Sequence, residues 1–204
     1  MMMKKQLILL IFGLAVLAGC KKDSDNNSTP ALTVDSAPQA KFKIDGTDVS
    51  VVETADITNS TSKSASLAIP PDSSSASYGT GFYDDANSTD VFGVDVGRLE
   101  FLGNMPTDAD FEALLLGSKN YISDPDVFNG VALYYYINGV KWATNLGTGI
   151  QTGSTFTFTD QKTQTSLGFT NVTVLANFNC TLYDGAGNSK VVTDGVFVGA
   201  FENY

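Results

Sequence analysis

From Ala40 to the end of the chain, apolar and polar residues alternate with a period of two, the pattern of strands with one buried and one wet face. Phe42 and Ile44, then Asp45-Gly46, then Val49 and Val51 predict a hairpin closed by a two-residue turn of positive φ. Its register sets Lys43 opposite Asp48 on the wet face, a pair worth about a few tenths of a kcal/mol. A second hairpin is predicted from Val131 to Ile137 and from Val140 to Thr144, around Asn138-Gly139. The longest strand runs from Val172 to Tyr183 with Val172, Val174, Ala176, Phe178, Cys180 and Leu182 on one side, and is expected to be central to a sheet. Thr155 to Thr159 carries Phe156 and Phe158 in the same phase. Val191 to Phe201 reads as a closing pair of short strands broken at Asp194-Gly195.

One stretch follows a helical pattern instead. Thr107 stands as N-cap with Asp110 three residues on, an acidic variant of the capping box, and the carboxylates suit the positive end of the helix dipole. Phe111, Leu114 and Leu115 are the expected buried face, and Gly117 the left-handed stop. A helix of about nine or ten residues is expected, lying on a sheet or plugging an open barrel end. Residues 58–77 are Ser-rich and include Pro70-Pro71, so a mobile loop or edge is expected after Ile69. No repeat of solenoid or propeller length recurs. The fold class is therefore all-β: an antiparallel sandwich or partly open barrel with one short helix, over residues 40–204.

The amino terminus has another character. Lys4 and Lys5 precede an apolar run from Leu7 to Val16, and small residues lead to Cys20, the layout of an export signal over residues 1–19. The run is shorter than the roughly 20 residues that cross a bilayer. Leu17-Ala18-Gly19-Cys20 resembles the lipobox of bacterial lipoproteins, and the resemblance implies acyl chains on Cys20 and an outer-membrane anchor, with the domain on the surface or the periplasmic face. An ordinary cleaved signal with a chance Cys is the alternative. Residues 20–39 hold no aromatic side chain and read as a flexible linker. Their Lys-Lys-Asp-Ser-Asp start is similar to the linkers of Bacteroidota lipoproteins, and Asp35-Ser36-Ala37 resembles that phylum's O-glycosylation pattern, although a plain spacer has the same composition.

Charge narrows the partners. Past residue 19 the chain has ten basic residues against 22 acidic ones, a formal charge of −12. Such a field repels nucleic acid and anionic lipid. With Cys20 lipidated, Cys180 has no partner for an intramolecular disulfide, and its place on the apolar phase predicts a small buried hydrophobe.

Trp142 to Thr144, Gly153-Ser154-Thr155-Phe156, Phe178-Asn179-Cys180-Thr181-Leu182-Tyr183 and Gly195-Val196-Phe197 together resemble the carboxy-terminal halves of all-β lipoprotein domains of Bacteroidota, and Ala40 to Gly46 is similar to their opening hairpin. Residues 55–105 depart from the pattern, which leaves strand order there open. The resemblance implies an all-β lipoprotein and transfers no catalytic residue and no cofactor.

Histidine is absent, which removes His-dependent triads and the commonest metal ligand. A pair of carboxylates remains chemically possible for a hydrolase, but Glu53, Glu100, Glu112 and Glu202 lie in no aromatic or Gly-rich setting. Asp84-Asp85, Asp124 and Asp126 fall in expected turns. Calcium on Asp124, Asp126 and Asn129 is disfavoured by Pro125 and by the lack of a following bidentate Glu, so no catalytic or metal residues are assigned. In the Asn138-Gly139 hairpin Trp142 shares the core side with Leu133 and Ile137. Tyr134 and Tyr136 point the other way beside Lys141 and form the candidate platform for a glycan or an envelope protein. The expectation is a non-enzymatic lipid-anchored envelope protein, the alternatives being a structural or assembly component without small ligand and a carboxylate-dependent hydrolase.

Overall fold

The computed structural model describes residues 31–122 and 129–204. The signal segment, Cys20, the first part of the linker, Asp124 and Asp126 lie outside them. Eleven strands form one antiparallel sheet curled into a half-barrel, and the fold is all-β with one short helix. In chain order these are β1 (Gln39–Ile44), β2 (Thr47–Val52), β3 (Ile57–Ser66), β4 (Ser74–Asp84), β5 (Thr89–Phe101), α1 (Asp108–Leu114), β6 (Gly117–Lys119), β7 (Gly130–Ile137), β8 (Val140–Ala143), β9 (Thr155–Ser166), β10 (Phe169–Tyr183) and β11 (Ser189–Asn203). The main path runs β2-β1-β11-β10-β8-β7-β5-β4-β3, while β9 pairs with β10 and β6 with β9.

Both expected hairpins form. Asp45 and Gly46 have φ of 50° and 82°, Asn138 and Gly139 have 52° and 78°, the left-handed pairs whose twist matches the flanking strands. Lys43 is in register with Asp48, yet its ammonium reaches Asp194 at 2.7 Å, because β11 lies on the other side of β1 and presents a carboxylate there. β10 is central as expected. It pairs along its length with β11, with β9 over Phe169–Asn179 and with β8 only at Tyr183. Val172, Val174, Ala176, Phe178, Cys180 and Leu182 are all buried.

Three details depart from expectation. Val191 to Phe201 is one continuous strand, not two: Asp194, at φ 54°, is the extra residue of a bulge, and the registers with β10 and β1 shift there. A Cβ on Gly195 would stand 2.5 Å from the Phe178 ring, so the bulge also seats that ring. The Ser-rich stretch is mostly strand, with β3 paired to β4 from Ile57↔Asp84 to Ser66↔Ser75. Its serines suit an edge that has little to bury, and only residues 67–73 form a loop. The helix has seven residues. Thr107 caps it by accepting from the Asp110 amide at 3.1 Å. The Leu115 amide then turns to the Glu112 carbonyl, and Gly117, at φ 71°, starts β6.

Aromatic rings fill the interior. Phe92 lies 5.5 Å from Phe42, 6.2 Å from Phe178 and 5.9 Å from Phe197, and α1 lays Phe111 on Tyr78 at 4.5 Å. The void among Phe42, Phe92, Leu133 and Phe178 is about 10 Å³, room for no more than a water. The far strand β3 meets β11 through side chains: Thr61 donates to Glu202 at 3.2 Å and Lys63 to Asn203 at 3.0 Å. Residues 31–38, expected to be the end of the linker, turn against the domain, with Asp35 paired to Lys162 at 2.6 Å.

Candidate functional site

Strands β4 and β5 alternate core residues with glycine. Tyr78, Thr80 and Phe82 face inward while Gly79 and Gly81 face outward. Phe92, Val94 and Val96 face inward while Gly93, Asp95 and Gly97 face outward. The register places Gly79 beside Asp95 and Gly81 beside Gly93, so a strip of the outer face has almost no side chains. Large groups from neighbouring strands lie down in it.

Tyr134 is the first of these. β7 sets it against Gly93, and its ring occupies the space where a Cβ on Gly93 would go. Its hydroxyl reaches on to Gly81, 3.0 Å from where a Cβ would stand. Tyr136 meets the ring edge-on at 6.2 Å, and the Lys141 ammonium lies 4.6 Å from the ring centroid. The three residues singled out from sequence are thus brought together, and among the described residues no second layer covers them. They do not form a flat two-ring platform, since one face of Tyr134 rests on glycine and a cation lies over its ring. Burial pushes the Tyr134 phenol pKa up, and the charges of Asp90 and Asp95 push it the same way. It acts as a hydroxyl.

Asp95 is the second group in the strip. Its carboxylate lies over Gly79, where an added Cβ would meet Asp95 Oδ1 at 2.6 Å and Ser62 Oγ at 2.5 Å. Burial raises its pKa, the positive charge of Lys141 offsets part of that, and Asp90 adds to it. Beyond Asp95 the strip opens into a groove of about 400 Å³, lined by Ser62, Lys63, Ser64, Ser77, Tyr78, Gly79 and Asp95. This is a row of hydroxyls facing a half-buried acceptor on a floor of main chain. Sequence reasoning passed over Asp95, Ser62 and the glycines. The signal that marks them is glycine at alternate positions of two adjacent strands, where a buried strand with a covered outer face would hold β-branched residues.

The other candidates resolve differently. Trp142 is half-buried against the core opposite Tyr135, with the Lys190 ammonium 5.1 Å from its ring. Cys180 is buried, and burial pushes its thiol up to about 12, with a hydrogen bond to Tyr121 pulling the other way. Asp84 accepts from the amide and side chain of Asn87 at 3.0 and 2.7 Å, an ordinary turn. Among the described residues no three His, Cys, Asp or Glu stand close enough to hold a metal, and no helix is long and apolar enough to cross a membrane.

Fold and groove together define an all-β half-barrel with a packed interior and an open groove on its outer face. No family model, curated protein or solved structure matches the chain.

Proposed function

We propose that the chain is a non-enzymatic lipoprotein of the bacterial envelope, held in the outer membrane through acyl chains on Cys20, whose β-domain binds a glycan in the groove beside Asp95. The observation that carries the binding half is the half-buried carboxylate over Gly79, flanked by Ser62 on one side and the Tyr134–Lys141 pair on the other. A carboxylate accepts from two sugar hydroxyls at once, serines donate and accept, and a glycine floor lets a ring approach main-chain groups. The charge of −12 past residue 19 argues for a neutral or basic glycan over an anionic one. The anchoring half rests on Lys4, Lys5, the apolar run and Leu17-Ala18-Gly19-Cys20.

Retardation of the chain in gels cast with neutral polysaccharides tests the binding. A hydrogen bond to a charged group contributes about 1.5–3 kcal/mol, so Asp95→Asn should weaken the interaction roughly 10- to 100-fold. The Tyr134→Ala/Tyr136→Ala pair should weaken it too. Retardation on no glycan, or retardation indifferent to Asp95→Asn, counts against the reading. Fractionation tests the anchor: Cys20→Ser should leave the membrane fraction, and its retention there would refute lipidation.

A further inference from the structure

The barrel has two unlike ends. Thr170 pairs with Asn203, so the β9–β10 turn stands beside Tyr204, and the rings of Phe169 and Tyr204 are 6.5 Å apart. Lys63 bonds the main-chain oxygen of Tyr204 at 2.6 Å and has its ammonium 5.6 Å from that ring, which brings the end of β3 and the 67–73 loop to the same rim. Ser74 accepts from the Ala68 amide and donates to the Gly103 carbonyl, each at 3.0 Å, tying the loop after β5 alongside. On this linked rim Leu67, Ile69, Leu102, Met105, Leu167 and Phe169 are all exposed, Ile69 at 86% and Leu167 at 94%. The opposite end, around the β7–β8, β8–β9 and β10–β11 connections, has only Val140, Ile150 and Val191 so exposed among the described residues.

The amino-terminal segment also approaches this rim. Asp35 pairs with Lys162, which is in register with Thr173 and through it with Ala200, three residues below Asn203. Ten residues separate Cys20 from Ala31, a reach of at most about 35–40 Å when extended. Acyl chains on Cys20 can therefore hold the rim against the surface in which they are inserted. We propose that this rim is the bilayer-facing end of the domain, with its apolar loop tips dipping into the headgroup region of the phospholipid leaflet that holds the Cys20 acyl chains. The inference rests on the lipoprotein reading.

The acylated chain in phosphatidylcholine vesicles with brominated acyl chains provides the test. Single Ile69→Trp, Leu102→Trp and Leu167→Trp variants are compared with Val191→Trp at the far end, with Trp142 as constant background. The rim tryptophans should shift to the blue and lose intensity to bromine, while Val191→Trp should do neither. Equal quenching at all four positions, or none at any, overturns the proposal. A blue shift that appears without vesicles and grows with protein concentration also overturns it, since the cover is then a second copy of the chain. Flotation with vesicles reports acylation separately. If the purified chain does not float, the chain from Cys20 coupled through that thiol to a maleimide lipid gives the same quenching comparison, so the rim is judged whether or not the anchor reading stands.

Discussion

The ring of Tyr134 occupies the space in which a side chain at Gly93 would sit, across the β5–β7 pair. Gly93 is not among the residues with positive φ, so the position demands room and not backbone freedom. Gly93→Ala should therefore lift the phenol out of the strip and cost about 1–3 kcal/mol, the usual range for overpacking. In a Tyr134→Ala background the same substitution should cost little. Denaturant unfolding of the four proteins of that cycle measures the difference, and equal costs in both backgrounds would show that the ring is not what excludes the methyl.

Asp95 makes stability depend on pH in a definite direction. Its folded pKa is raised above the unfolded value by burial, so folding favours the protonated acid. The contribution is fully present below the unfolded pKa of about 3.9 and is lost as pH rises through the folded pKa. Asp95→Asn, which cannot ionise, should accordingly be more stable than the parent at pH 7, and the gap should close as pH falls toward about 4. Thermal melts of the two proteins across that window check it. A gap of opposite sign at pH 7 would mean that a donor compensates the carboxylate.

Much of the fold is legible in the pattern of residues because each strand buries one face. The phase of β10 and the two left-handed hairpin turns follow from local chemistry alone. Asp194-Gly195 misleads because one dipeptide serves both a turn and a bulge, and only the partner strands β1 and β10 decide between them. β3 is illegible for another reason: with a single partner and almost nothing buried, its serines carry no alternation to read. At the site, Tyr134, Tyr136 and Lys141 were visible as the outward phase of one hairpin. Asp95 is set near them by the pairing of β5 with β7, and β4 brings Ser62 of β3 beside it; β3, β4 and β5 all come from the stretch whose order the sequence left open.

Cys180 provides a reporter of global opening. It is 3% exposed, its thiol pKa is pushed up to about 12 by burial, and it faces the core from the central strand. The thiolate is the reactive form, so in the Cys20→Ser chain an aromatic disulfide reagent should label nothing on the timescale on which an exposed thiol reacts completely. Labelling should appear with denaturant in step with the loss of near-ultraviolet dichroism. Rapid labelling of the folded chain would place Cys180 in a segment that opens locally.

Asn203 holds four elements together. Its Oδ1 accepts from Lys63 at 3.0 Å and from the Tyr78 hydroxyl at 3.2 Å, and its Nδ2 donates to Asp108 at 3.3 Å, so one amide ties β3, β4 and the start of α1 to β11. Burial lowers the Lys63 pKa and raises that of Tyr78, so both groups have given up water for this partner. Removing the amide leaves Lys63 with the Tyr204 main-chain oxygen but strands the buried Tyr78 hydroxyl, and a buried donor left without an acceptor costs about 1–3 kcal/mol. Asn203→Ala should then destabilise the domain by about 2–3 kcal/mol, lowering Tm by roughly 4–12 °C for a domain of this size. Asn203→Asp separates this amide from a bare acceptor: the carboxylate still accepts from Lys63 and Tyr78 but meets Asp108 as a like charge. Its loss should exceed that of a change at the exposed Asn188 and should shrink as acid neutralises the two carboxylates. Melting curves for the three variants at two pH values decide the matter, and an Asn203→Ala curve that overlays the parent would mean that backbone pairing alone closes the barrel.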